Sequence, residues 1–222
     1  MKKLLLTIEL LCEEAERFSL IESAQNEPLL YGVTDGKAVG TYLEQKFRNH
    51  LQQQYEFTLG NSASGIDFPE LLVDMKTTSI KQPQSSCPYK SARQKIYGLG
   101  YSLIVFVYDK IDAPHEQTAR LTIHHTIFVQ AHRTGDFQMT RGLRNILAND
   151  GNRDDVAAFL LEKNLPVDEI GAGILADEIL HHPPEQGFLT ISAALQWRLQ
   201  YGRVIAQANQ QEGIRAVFRA GL

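Results

Sequence analysis

Cysteine is scarce in this 222-residue chain. Cys12 and Cys87 lie far apart, and neither belongs to a CxxC or CxxH pair, so a cysteine-based zinc site is not expected and a reduced, cytoplasmic protein is. No apolar run approaches the roughly 20 residues of a membrane span. The opening MKKLLLTIELLC has the basic start and leucine run of a secretory signal. Glu9, Glu13, Glu14 and Glu16 interrupt it, and no small-residue cleavage site follows, so an amphipathic helix is expected there. Fixed-period repeats and low-complexity tracts are also missing.

One absence is local. From Met75 to Tyr108 there is no acidic residue, against Lys76, Lys81, Lys90, Arg93 and Lys95, whereas Met1 to Asp74 holds twelve acids and six bases. The total charge of -4 conceals this asymmetry. An acid-free basic segment suits either a phosphate-facing surface or a solvated face beside a buried strand.

Local patterns predict an α/β protein. Leu5, Ile8, Leu11, Cys12, Ala15, Phe18 and Ile21 form one stripe of a helix over residues 4–25. A second helix starts from Thr34 or Asp35 as cap, with Val39, Tyr42, Leu43, Lys46, Phe47 and Leu51 inward and Glu44 beside them. LGNSASG reads as a loop, and in GIDFPELLVDMKTTS a reversal at Pro69-Glu70 joins a short strand at residues 66–68 to a longer one at 71–79. KQPQSSCP is a loop, SARQKIYGLG a helix ended by glycine, YSLIVFVYDK a buried strand, and residues 119–131 another strand. From Gln138 onward, MTRGLRNILAND, DDVAAFLLEKNL, VDEIGAGILADEIL and TISAALQWRLQYGRVIAQANQ all read as helices. The expected organisation is therefore a core of residues 1–137 and an α-helical lobe of residues 138–222 packed on it, together one structural domain.

The chemistry concentrates where charges enter an apolar strand. Alternation sends Asp74 and Lys76 to one face and Val73, Met75 and Thr77 to the other, and Asp67 can converge on the charged face across the reversal. Two carboxylates meeting in one place repel unless a cation lies between them, and a hard cation such as magnesium takes carboxylate oxygens and keeps several waters. A lysine two residues along can orient or deprotonate an attacking water.

Asp67, six intervening residues and Asp74-Met75-Lys76 resemble the PD-(D/E)XK nuclease signature, preceded by a helix bearing Glu44 and followed by a helix and an apolar strand. Isoleucine precedes Asp67 where the signature names proline. The resemblance covers about residues 34–110. It implies a restriction-endonuclease-like core, a mixed central sheet flanked by helices, with Asp67, Asp74 and the Met75 backbone carbonyl as ligands for Mg2+, for which Mn2+ substitutes. It also implies that Lys76 assists the attacking water and that Glu44 joins the catalytic set. Size and architecture are most similar to type II restriction endonucleases, which act as homodimers on double-stranded DNA with no organic cofactor and no membrane. A structure-specific repair or recombination nuclease, and a non-catalytic DNA-binding protein, remain open. Lys81, Gln82, Gln84, Ser85, Ser86, Lys90, Arg93, Gln94 and Lys95 are the candidate DNA contacts, since amides and hydroxyls can reach base edges while cations hold phosphates.

Other features carry less. His124-His125 and His181-His182 cannot chelate one ion, because neighbours on a strand or a helix diverge. Arg133, Arg141 and Arg144 either grip phosphate near a helix N-terminus or form a solvated face with Asp136. A helix-turn-helix broken at Asn164-Leu165-Pro166 would offer a reading helix with Asp168, Glu169, Asp177 and Glu178, which favours packing or dimerisation over groove reading. Trp197, Arg198, Tyr201, Arg203, Arg215 and Arg219 suit an interface or DNA, and Ile191, Leu195, Leu199 and Ile205 suit core packing.

Overall fold

The structure is a computed structural model and describes residues 3–60, 65–163, 165–192 and 198–221. In chain order these form β1 (Leu4–Leu5), α1 (Ile8–Ser23), α2 (Gly36–Gln52), β2 (Tyr55–Glu56), β3 (Val73–Ser79), β4 (Gln84–Ser86), α3 (Ala92–Tyr97), β5 (Ser102–Ala113), β6 (Thr118–Val129), α4 (Phe137–Ala148), α5 (Arg153–Glu162), α6 (Glu169–His181), β7 (Thr190–Ser192), β8 (Arg198–Gln200), α7 (Gly202–Gln207) and β9 (Ile214–Arg219). The architecture is mixed α/β. The chain divides into two compact units, one of residues 1–85, 102–129 and 204–222, the other of residues 86–101 and 130–203.

The first unit is built on a four-stranded mixed sheet in the order β3-β5-β6-β9. β3 and β5 are parallel, with Asp74 opposite Leu103 and Lys76 opposite Val105, while β5-β6 and β6-β9 are antiparallel. The apolar run in β5 buries both faces, and Leu103 through Val107 are each fully buried. Helices α1 and α2 cover one face. Phe47 of α2 meets Phe106 of β5 at 5.1 Å between ring centroids, and Phe18 of α1 closes the cluster at 5.1 Å from Phe47. Leu11, Leu43, Leu51, Val73 and Met75 fill the same core, so the inward face of β3 is packed against α2 as alternation requires.

Caps set the helix starts. Thr7 accepts from the Leu10 amide and begins α1, so Leu4 and Leu5 pair instead as a short parallel strand with β2. Asp35 accepts from the Lys37 amide and begins α2. In the second unit Asp136, Asn152 and Asp168 cap α4, α5 and α6, the Asn152 cap as a reciprocal box with Asp155. Met139, Leu143, Val156, Leu160, Leu175 and Ile179 make that unit's core with Ile96 of α3. α3 ends at Gly98, whose φ of 91° and close approach to the Ala131 carbonyl exclude a side chain.

The C-terminal region departs from expectation. The predicted long helix over residues 190–210 is replaced by the antiparallel pair β7-β8, which sets Ile191 opposite Leu199, and by the short α7. β9 returns to pair with β6 at the edge of the first unit's sheet. Within residues 190–210 Leu199 and Tyr201 are fully buried, and beyond them Ile214 and Val217 are buried in β9 while Arg215 and Arg219 stay exposed. The boundary expected at residue 137 therefore does not describe the units, since the chain crosses between them repeatedly. Within residues 138–222, helix is confined to α4–α6 and the short α7 among the described residues. The expected strand at 66–68 reduces to a single bridge between Phe68 and Val73, and the expected loop KQPQSSCP contains β4. Asn164, Leu195, Trp197 and most of the LGNSASG loop lie outside the described residues.

Candidate active site

The spacing between the two aspartates has a local structural cause. Phe68 and Val73 exchange backbone hydrogen bonds of 2.9 and 3.2 Å, closing a loop in which Pro69–Leu71 make one 3-10 turn. Leu72 then turns the chain with φ 52°, a left-handed conformation that costs a non-glycine residue about 1 kcal/mol. The loop folds Asp67 back beside the start of β3, where its Oδ2 accepts a hydrogen bond from the Met75 amide at 2.9 Å. Six intervening residues are thus what this closed turn needs to bring Asp67 next to Asp74.

On β3, Lys76 Nζ lies 2.6 Å from Asp74 Oδ2. Asp74 is 3% exposed, and Oδ2 has no aligned hydrogen-bond donor, so the pair is held by charge and distance. Burial pushes the Asp74 carboxyl up to about 6; Lys76 opposes this and Asp67 adds to it. Glu44 reaches the site from α2 and accepts from Thr77 Oγ1 at 3.2 Å. Its carboxyl is pushed up to about 7, first by burial and then by the charge of Asp67, against Lys76, Thr77 and Arg48. The structure thus brings Asp67, Asp74, Lys76 and Glu44 into one electrostatically coupled group.

Two contributors were not legible in the motif. Arg48 donates from Nη2 to Asp67 Oδ1 at 2.8 Å. Gly40, Glu44 and Arg48 are spaced by four, so they share the face of α2 turned toward the site. A Cβ at Gly40 would meet Thr77 Oγ1 at 2.6 Å, so glycine permits the close approach that lets Glu44 reach Thr77. That spacing was the available signal.

Among the described residues no group of three or more histidine, cysteine, aspartate or glutamate side chains is arranged to hold a metal ion. Asp67 and Asp74 are two carboxylates, which suits magnesium, an ion that commonly takes one or two protein carboxylates and completes its shell with water and phosphate. The Asp74 and Glu44 carboxyls, whose ionised forms are disfavoured by burial and by the charge of Asp67 in spite of Lys76, fit a site that takes a further cation.

The other candidates are placed as follows. In the first unit, Lys81 pairs with Asp109 at 3.0 Å, and Thr78 Oγ1 bonds the backbone of Gln82 and Gln84, tying that turn to the end of β3. In the second, Arg93 makes a forked contact with Glu178, and Lys95 is buried, with its ammonium pKa lowered by desolvation. Gln94 accepts from the Lys90 amide and donates to the Leu99 carbonyl, while Lys90 and Ser86 are exposed and Ser85 is half-buried. Arg133 and Arg144 donate to the carbonyls of Gln186 and Pro184, and Asp136 caps α4. Arg203 stacks 3.6 Å over Phe137, and Tyr201 is fully buried. His181 bonds the Asp177 carbonyl, not an ion-binding partner.

Comparison with known proteins adds to this geometry. The family described as type II restriction enzyme NspV matches residues 5–216. The type II restriction enzyme NspV of Nostoc sp. (strain ATCC 29411 / PCC 7524) is 71% identical over 215 residues, covering 97% of this chain and 98% of that protein. No solved structure matches the chain. With nearly the whole length matched, the chain belongs to the NspV family of type II restriction enzymes.

Proposed function

We propose that this restriction enzyme cuts double-stranded DNA at a specific sequence by hydrolysing a phosphodiester bond on each strand, with Mg2+ as its cofactor and Mn2+ as a substitute. The observation that supports this most directly is the folding of Asp67 against the Met75 amide beside the buried Asp74-Lys76 pair. Asp67, Asp74 and the Met75 carbonyl would hold the ion in a restriction-endonuclease-like core. Magnesium there supplies positive charge to the phosphate and lowers the pKa of the attacking water. Lys76, fixed by Asp74, would orient that water and offset the negative charge that builds on the phosphate. Glu44, with a pKa near neutrality, is poised to accept or hold a proton at its carboxylate.

Lys81, Gln82, Gln84, Ser85, Ser86, Lys90, Arg93, Gln94 and Lys95 are proposed to include the DNA contacts, with Lys90 the most available cation and Lys95 requiring rearrangement to reach a phosphate. A homodimer would present two such sites to the two strands of a symmetric sequence. Cys12 and Cys87 are free thiols, and among the described residues no helix is long and apolar enough to cross a membrane, in keeping with a cytoplasmic location. Membership of a restriction-enzyme family favours sequence-directed over structure-directed cutting. Digesting a sequenced plasmid with magnesium and mapping the ends should give a fixed set of fragments; a smear without fixed ends would refute sequence-specific cutting.

A further inference from the structure

We propose that Arg48 is a positioning residue that holds Asp67 in place of a divalent cation, and that it must yield Asp67 Oδ1 when the metal enters. The inference rests on the metal site proposed above. Asp67 Oδ2 is committed to the Met75 amide, which leaves Oδ1 as the oxygen facing a ligand, and Arg48 Nη2 takes it at 2.8 Å. The contact is made through one nitrogen. Arg48 Nε is buried and has no hydrogen-bond partner, so the two-bond fork that makes arginine-carboxylate pairs strong is not formed here. A guanidinium and a divalent cation on the same carboxylate also repel each other, so metal entry must displace Arg48 or share the oxygen with it at a cost.

Arg48 therefore raises the concentration of metal the free enzyme needs, while keeping Asp67 oriented and partly neutralised before metal arrives. Both effects act one helical turn from Glu44, on the same face of α2.

The test is metal binding without DNA, by calorimetric titration of MgCl2 and, independently, by the loss of free Mn2+ signal in electron paramagnetic resonance. Arg48→Gln should bind either ion about ten-fold more tightly than wild type, the effect of losing one competing charge-assisted bond. Arg48→Lys, which restores a cation, should return toward wild type. Tighter binding is a gain that structural damage would not produce, and Arg48→Met repeats the test should the glutamine variant not fold. Equal or weaker binding by the folded neutral variants would overturn the proposal. An Asp67→Asn, Asp74→Asn double variant separates the two levels. If it binds metal like wild type, the metal site itself is misassigned; if it loses binding while Arg48→Gln is unchanged, the role of Arg48 alone is wrong.

Discussion

Replacing Glu44 with glutamine should make the metal-free protein more stable above neutral pH, although it removes a member of the active site. In the folded chain the Glu44 carboxyl is raised from its ordinary 4.5 to about 7, mainly by burial and by the charge of Asp67. Between those two values the folded state keeps a proton that the unfolded state has released, so wild-type stability falls as pH rises from about 4.5 to about 7. Above that window the full cost applies, on the order of 3 kcal/mol from the size of the shift. Glutamine can still accept from Thr77 Oγ1, so the substitution removes the charge and keeps the bond. For a domain of this size the gain corresponds to roughly 6–12 °C in melting temperature. Thermal melts in a chelator at pH 5 and pH 8 would measure it, with wild type and variant converging at the lower pH. A variant that melts at or below wild type at pH 8, or by a margin independent of pH, would refute the account of Glu44. Adding magnesium should narrow the gap, because a cation held by Asp67 and Asp74 favours the ionised Glu44 carboxylate that only wild type has.

Gly40→Ala should cost about 1–3 kcal/mol in denaturant unfolding and lower cleavage, because its new Cβ must push Thr77 away from Glu44. Lys46→Ala should cost about 3 kcal/mol, since Glu22, fully buried and 2.6 Å from the Lys46 ammonium, and Glu27 both lose their cation. The burial-raised Glu22 carboxyl means that this loss should shrink as pH falls toward the range where Glu22 protonates, which melts across pH 5–8 can check. Gly142→Ala should destabilise the second unit, as its Cβ would lie 2.2 Å from the Phe159 ring; native-state hydrogen exchange should then show faster opening in α4 and α5.

Where one physical constraint dominated, the sequence was readable. Asp35 as a cap, the apolar run of β5 and the alternation along β3 each admit one local solution, which puts Glu44 on α2 and Asp74 and Lys76 on β3. Asp67 was readable as a partner of Asp74, but its route was not: the turn at Phe68–Val73 depends on a left-handed leucine that no turn preference announces. Arg48 and Gly40 escaped because their roles come from how closely α2 packs on β3, a tertiary property. In the C-terminal segment local periodicity favours helix, whereas the chain pairs Ile191 with Leu199 in β7-β8 and Ile214 with Val129 in β9-β6. The free edge of β6 offered β9 a ladder and a buried place for Ile214 and Val217, which outweighs propensity. Likewise the acid-free segment was acid-free only along the chain, since Asp109 and Glu178 come from elsewhere to pair with Lys81 and Arg93.

The Asp67, Asp74 and Lys76 group is proposed as the place where DNA is cut. The most direct test is single-turnover cleavage of one mapped duplex site by wild type, Asp74→Asn and Lys76→Ala, with binding to the same duplex measured alongside. Each variant should still bind the duplex yet cut at least about 100-fold more slowly in magnesium. Cutting at the wild-type rate by either variant would contradict that assignment.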